Sequence, residues 1–301
     1  MANSTPTDSI RALLNEIIDY AGLFPPSALS MPEAVINYAA YKNSNYNWML
    51  GRFVVPVSRL DEFLEGGRDF ISRDKNSSWR LSVLASEDIY DTVRKIENFN
   101  AENAPSAVCD ALEVKADTGS LIEKIAEAVP PNLAVYFEIP IGKNLADLVS
   151  TLAIYKQRAK IRTGGVTTDA FPKVEKIVRF MRTCLAANVP FKATAGLHHP
   201  LRCFKPLTYE KDAPEGKMNG FLNVFLAAGL LQQGYKSGLI YELLNDERTD
   251  NFLFEDDGVL WRQEYFISTA QLRHLREKNI ISFGSCSFEE PITDLQEIGL
   301  L

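Results

Sequence analysis

Eight short apolar segments alternate with stretches of helical periodicity, and this alternation sets the range of folds open to the 301-residue chain. The segments are IIDYAG from Ile17, residues 48–57, 79–86, 109–117 and 133–141, AKIRTGG from Ala159, VPFKATAG from Val189, and residues 280–287. Helices are expected at 9–18, 31–41, 59–70, 87–99, 120–129, 145–155, 171–187, 221–232, 239–244 and 269–278, with a last one from about Pro291. Strand and helix in regular alternation imply a parallel sheet. Eight such units fit an α/β fold of the TIM type, a closed (β/α)8 barrel, as one domain over 1–301. An open doubly wound sheet is the alternative, disfavoured because no GxGxxG follows an early strand. The rhythm breaks once. Strands seven and eight are separated by far more than the usual ~4–6 residues, so residues 200–266 are expected to form an insertion near the barrel mouth. It should hold a hairpin at 252–263, turning at Asp256, Asp257 and Gly258. A lid or an oligomer contact is one expectation for it, and a peripheral decoration the other.

The formal net charge is −7 and no long basic run is present. Nucleic-acid binding by a charged face is therefore not expected, and any anionic ligand must be held by a local cluster. The four cysteines (Cys109, Cys184, Cys203, Cys286) have no CxxC spacing and read as reduced thiols in a cytoplasmic protein. The start, MANSTPTDSI, lacks a basic region followed by an apolar core, so no signal peptide is expected. No apolar run approaches the roughly 20 residues of a membrane span.

A barrel carries its chemistry at the C-terminal ends of its strands. Polar residues late in the apolar segments are Asp19, Asp110, Glu113, Lys115, Glu138, Lys160, Arg162, Lys192, Thr194, Ser285 and Ser287. Lys160 and Lys192 lie in consecutive strands, each followed within five residues by glycine. Two amines at one apolar mouth are costly unless they do chemistry or hold an anion. In Schiff-base enzymes one lysine forms the imine, a second cation keeps it deprotonated, and a carboxylate moves protons. The plainer alternative is a structural ion pair between each lysine and a barrel carboxylate.

Four pieces resemble, in order, the deoxyribose-phosphate aldolase family of class I aldolases. IDYAGLFPPSA resembles the family's opening I-D-H-T-L-L-K-P-x-A, KIRTGG its K-T-S-T-G-[FG], KATAG its K-A-S-G-G, and FGSCS its I-G-[TA]-S-[SA]. The resemblance implies a barrel lyase without a cofactor, with a small anionic carbonyl compound as substrate. It implies Lys160 as the Schiff-base residue and Lys192 as the lysine that lowers its pKa. Asp19 matches the opening aspartate, and Asp110 takes the place of the strand-four aspartate of the proton relay, with Glu138 as a further carboxylate for proton transfer. It further implies substrate binding by Gly164, Gly165, Thr194 and Gly196 after strands six and seven, and by Gly284, Ser285 and Ser287 at strand eight. The chain departs from the pattern at Arg162, Ala195 and Cys286, where the family has a small residue, a glycine and a serine. Glycine lets a phosphate reach backbone N–H groups, so these changes point away from a phosphate there. Arg162 is suited to grip a carboxylate.

His198 and His199 follow strand seven. His198 with Glu113 and Glu138 would make a metal site for a hydrolase or lyase; otherwise one histidine hydrogen-bonds in the mouth and the other faces solvent. His198 and Arg202, just beyond strand seven, are also candidate substrate-binding residues, Arg202 as an anion ligand for either the Schiff-base or the metal mechanism. Trp48, Trp79 and Trp261 read as packing residues. A barrel that binds a small anion without chemistry, or assembles as a homo-oligomer through its insertion, is the third alternative.

Overall fold

A computed structural model describes residues 5–71 and 78–301. Its first seven strands are β1 (Ile18–Tyr20), β2 (Leu50–Pro56), β3 (Trp79–Leu84), β4 (Ala107–Lys115), β5 (Ala134–Glu138), β6 (Arg158–Arg162) and β7 (Phe191–Thr194). Between them run α1 (Asp8–Leu14), ahead of β1, then α2 (Met31–Lys42), α3 (Leu60–Gly67), α4 (Ile89–Asn103), α5 (Gly119–Ala128), α6 (Leu145–Ile154) and α7 (Val174–Ala186). After β7 come a hairpin of β8 (Cys203–Pro206) and β9 (Glu215–Met218), then α8 (Phe221–Gln232) and α9 (Ser237–Leu244). A three-stranded sheet of β10 (Phe252–Phe254), β11 (Gly258–Trp261) and β12 (Tyr265–Ser268) leads to α10 (Thr269–Lys278), β13 (Ile280–Ser285) and α11 (Glu289–Glu297). Strands β1 to β7 and β13 close into an all-parallel barrel in the order β1-β13-β7-β6-β5-β4-β3-β2. The chain is a (β/α)8 barrel, as the alternation of segments implies.

Local chemistry explains most boundaries. Ser30 and Glu33 form a reciprocal capping box at the start of α2, and Ser268 and Gln271 do the same for α10. Asp88 and Thr118 cap α4 and α5 through their side chains. Three helices, α1, α3 and α7, are clearly shorter than expected. Helix α3 ends at Gly67. Helix α1 stops at Leu14, because Asn15 turns extended and Glu16 adopts φ +48°. Ile17 and Ile18 thus leave the helical face and enter the first strand. In α7, Phe171 and Pro172 fall outside the helix; the Phe171 ring instead packs on the loops after β6 and β7.

The long connection divides at α8. A barrel strand runs from base to mouth and the following helix returns to the base. The β8–β9 hairpin precedes α8 and lies on the mouth side, whereas α9 runs back along α8 from its base end and the β10–β12 sheet that follows reaches the base. There β11 contacts α1, and the Asp8 N–H donates to Asp256 at 3.0 Å. The hairpin at 252–263 is present, with Phe254 paired to Val259 across its turn. It belongs to the base, which removes it from the lid expected at the mouth. Residues 200–266 are also not wholly an insertion, since α8 packs between α7 and β13 as the barrel's seventh outer helix. It is covered in turn by α9, α10 and β12. This covering explains its sequence, FLNVFLAAGLLQ, which is buried from Phe221 through Leu230. Its one buried amide, Asn223, donates to the Leu243 and Asp246 carbonyls at 2.7 and 2.9 Å, which ties α8 to the end of α9.

Arg276 closes the base. Its guanidinium donates to the carbonyls of Leu13, Asn15, Ile280 and Ile281, and lies over the Phe225 ring. Burial lowers its pKa to about 10. One side chain thus joins the end of α1, the end of α10, α8 and the entry of β13. Arg276→Met keeps the stem but strips the donors, and is expected to cost about 3 kcal/mol of stability, measured as a lowered urea midpoint with an unchanged slope.

Candidate active site

Strand register sets Lys115, Glu138, Lys160 and Lys192 side by side across β4, β5, β6 and β7. Residues matched in register share a face of the sheet, and Glu113, two residues before Lys115, shares it too. The result is a chain of alternating charge inside the barrel. Lys192 Nζ lies 2.5 Å from Asp19 Oδ2 and 2.7 Å from Glu113 Oε1. Lys160 Nζ lies 2.7 Å from Glu113 Oε2 and 2.8 Å from Glu138 Oε2. Arg162 Nε continues the chain to Glu138 Oε1 at 3.4 Å. Hydroxyls and backbone take up the remaining carboxylate lone pairs. Ser82 donates to Glu113 at 2.6 Å, Ser282 to Asp19 at 2.7 Å, and the Arg52 N–H to Asp19 at 2.8 Å. The Tyr136 ring lies 5.2 Å from Lys192 Nζ.

Burial opposes every charge in this chain, and the ion pairs overcome it. For Glu113, burial pushes the pKa up, but Lys160 and Lys192 outweigh it and hold the carboxyl well below its ordinary range. Asp19 is lowered against burial by Lys192 and Arg52, and Glu138 by Lys160 and Arg162. Lys192 is raised above its ordinary value, because Asp19 and Glu113 outweigh burial. Glu113 thus stands between the two amines. The expectation is that Lys192 acts on Lys160 as a second cation; in the structure a carboxylate lies between their amines.

Depth separates the two lysines. Lys192 is 1% exposed and Lys160 is 5% exposed. Lys160, Glu113, Glu138 and Arg162 line a cavity of about 600 Å³ at the C-terminal ends of β3 to β6, whose walls include Phe24, Leu84, Leu121 and Ile125. Lys192 is not among its lining residues. Of the two buried lysines, Lys160 is the one that lines the cavity, and Lys192 sits beneath it.

Several expected site residues lie elsewhere. Asp110 falls in the first half of β4, at a register shift between β3 and β4. It accepts from Arg52 Nε at 2.5 Å and Arg80 Nε at 3.0 Å, and Arg80 also pairs with Glu16 at 2.6 Å. That is a base ion-pair cluster, so Asp110 does not join the lysines. Glu113, three residues later on the same strand and past the register shift, makes the contacts with both lysines. His198 does not meet Glu113 or Glu138 either. Its Nδ1 lies 3.1 Å from Glu290 Oε2 without an aligned hydrogen bond. His199 Nδ1 lies 2.5 Å from Asp294 Oδ2. Both histidines are buried, so neither faces solvent. Among the described residues, no group of three His, Cys, Asp or Glu side chains is placed to hold a metal ion, and the two glutamates of the expected trio are engaged by lysines.

The loop glycines serve packing. A Cβ on Gly164 would meet the Phe171 ring at 2.5 Å and Gly196 Cα at 2.8 Å; Gly196 has φ +73°. Both positions need glycine for the close approach of the β6 and β7 loops. Thr163 Oγ1 closes the same contact by donating to the Ala195 carbonyl at 2.6 Å. Gly165 packs against Ala170, and the Thr194 carbonyl accepts from the Thr163 N–H. At β13, the Gly284 backbone lies beside Thr194, the Ser287 N–H donates to Ser285 Oγ, and Ser287 Oγ accepts from the Glu290 N–H. Arg202 donates to Asn219, which in turn donates to the Thr163 carbonyl; it ties the β8–β9 hairpin to the β6 loop. The residues missed in the sequence are Ser82 and Ser282. Both are polar residues on otherwise apolar strands, in WRLSVL and IISFGS, and that was the available signal.

Compared with known proteins, the chain matches no protein-family model, and no curated protein is significantly similar to it. All four cysteines are free thiols. Among the described residues, no helix is long and apolar enough to cross a membrane.

Glu113→Gln keeps the shape but leaves two buried amines short of one counter-charge. It is expected to destabilise the fold by roughly 3–5 kcal/mol at neutral pH, read from urea denaturation. The signs of the pH dependence follow from the shifts. Asp19, Glu113 and Glu138 are held below their ordinary 3.8 and 4.5. Their stabilisation is complete above those values and is lost as pH falls through and below them. Lys192 is held above its ordinary 10.5, so its contribution is complete below that value and is lost as pH rises beyond it. Thermal midpoints measured against pH should decline at both ends, with the acid decline diminished in Glu113→Gln.

Proposed function

We propose that the barrel is an aldolase-like lyase that takes a small anionic carbonyl compound through a Schiff base on Lys160. The observation that carries this reading is the position of Lys160. Its amine is the only lysine amine that both lines the cavity and touches two carboxylates, Glu113 and Glu138, among the described residues. The ordered resemblance to the deoxyribose-phosphate aldolases supports it, with Asp19 against Lys192 and Glu113 in the strand-four role.

In the proposed reaction, Lys160 gives a proton to Glu138, and the neutral amine adds to the carbonyl carbon while its second proton moves to the carbonyl oxygen. The carbinolamine loses water, whose oxygen takes a proton from Glu138, and a protonated imine remains. The imine draws in the electron pair of the bond between its α and β carbons. That bond breaks as Glu138 accepts the proton of the β-hydroxyl, and an aldehyde leaves. Protonation of the enamine carbon and hydrolysis restore the lysine. Condensation is the reverse path. Glu138 suits the proton-transfer role because its side chain is 15% exposed, against 3% for Glu113. Lys192 stays charged and fixes Glu113, which positions the Lys160 amine. The second reading is a barrel without chemistry, and it is favoured by the full pairing of both amines with carboxylates.

Borohydride reduction in the presence of a panel of aldehydes and ketones, followed by peptide mapping, is expected to mark Lys160. Absence of any adduct at Lys160 across the panel would overturn the proposal in favour of the second reading. Glu138→Gln, at a partly open site, is expected to fold and to slow imine formation about 10²- to 10⁴-fold, measured as the rate of adduct trapping.

A further inference from the structure

Around the outer wall of the cavity three cations converge from three elements. Lys115 ends β4, Lys124 lies in the middle of α5, and Arg162 ends β6; all three are exposed and all three line the cavity that holds Lys160. Among the described residues, neither Lys115 nor Lys124 has an ion-pair partner, and the one carboxylate near Arg162 is Glu138 at 3.4 Å. The acidic residues of the wall are Glu87, Glu113 and Glu138, and the last two are committed to the buried lysines. A local positive rim has thus formed on a chain whose net charge is −7. Such a rim concentrates small anions at the cavity mouth.

The opposite side of the barrel does not offer this. After β13, the backbone N–H groups of Ser287 and Glu290 are taken by Ser285 and Ser287. Glu289 and Glu290 fill the first turn of α11 and repel an anion there. After β6 and β7, Gly164 and Gly196 are pressed against each other and Phe171.

We propose that Lys115, Lys124 and Arg162 form an oxyanion subsite that holds the phosphate or carboxylate terminus of the compound whose carbonyl meets Lys160. The subsite rests on the reading of Lys160 as the carbonyl-binding amine only for the second half of that statement. Lys115 and Lys160 are matched in register two strands apart, roughly 10 Å at the usual strand spacing. Side chains reaching inward from both ends leave room for a few carbon atoms between carbonyl and oxyanion. Lysine supplies point charge suited to a phosphate and arginine a fork suited to either group.

Two measurements test this. First, amine acylation of the intact protein is followed lysine by lysine by mass spectrometry, with and without inorganic phosphate or acetate. Protection of Lys115 and Lys124 by at least threefold, with Lys176 on α7 unchanged, is the expected result. This arm needs no Schiff base. Second, borohydride trapping at Lys160 is compared for glyceraldehyde and its 3-phosphate, and for butanal and 4-oxobutanoate. The ratio of charged to neutral trapping rates is expected to fall at least tenfold in the double variant Lys115→Ala, Lys124→Ala. A larger ratio for the phosphate ester assigns the terminus as phosphate, and a larger ratio for 4-oxobutanoate assigns it as carboxylate. Absence of protection by both anions overturns the subsite, as does a ratio unchanged by the double variant. Protection without any trapping at Lys160 leaves the subsite standing and removes the proposed lyase.

Discussion

The bridging of two ammonium groups by Glu113 is the interaction on which the interior of this barrel depends. An unpaired charge in a buried site costs several kcal/mol, and here three carboxylates and two lysines share one compartment. Each charge is satisfied only because its partners, one to three strands away around the barrel, are held at the same interior level. Glu113 accepts from Lys160, Lys192 and Ser82. The same contacts that hold β4, β6 and β7 in register therefore also orient the amine at the cavity floor. Stability and the proposed chemistry are drawn from one set of bonds, with the accessible end of the chain at Lys160, Glu138 and Arg162 and the sealed end at Lys192 and Asp19.

The barrel's direction of travel decides where everything else is placed. Strands deliver side chains to the mouth, and helices return the chain to the base. The β8–β9 hairpin is inserted before a return, so its Lys205 and Tyr209 reach Asp294 and Glu290 at the mouth end of α11. The β10–β12 sheet is inserted after a return and braces α1 and α10 instead. The two halves of the long connection have no common task, although they adjoin in sequence.

Much of this was legible in the residues. The alternation of apolar and periodic segments marked all eight barrel strands, because parallel strands buried on both faces read as continuous apolar runs. Lys160, Lys192, Asp19 and Glu138 were identified as polar interruptions of those runs. The choice of Asp110 over Glu113 failed for a definite reason. Strand β4 shifts register against β3 between Cys109 and Ala111, and a one-residue shift moves a side chain to a different neighbour. No pattern in CDALEVK announces that shift. The histidine pair failed differently. Its partners, Glu290 and Asp294, lie on α11, as much as 95 residues away in the chain, and only closure of the barrel brings them together. The loop glycines were expected to face a ligand; they face each other, because Phe171 leaves the start of α7 to wedge against them.

The all-round burial of α8 has a consequence for synthesis. A helix that presents Phe221, Leu222, Val224, Phe225 and Leu226 in every direction has no solvent-compatible face of its own. Its covers, α9, β12 and α10, and the strand it rests on, β13, all come later in the chain. As the polypeptide leaves the ribosome, this apolar cylinder emerges with only α7 among its packing partners already made, while β1 and β7 still lack the strand that joins them. The interval between emergence of α8 and of β13 is the period in which the nascent chain is most open to chaperone capture and to self-association.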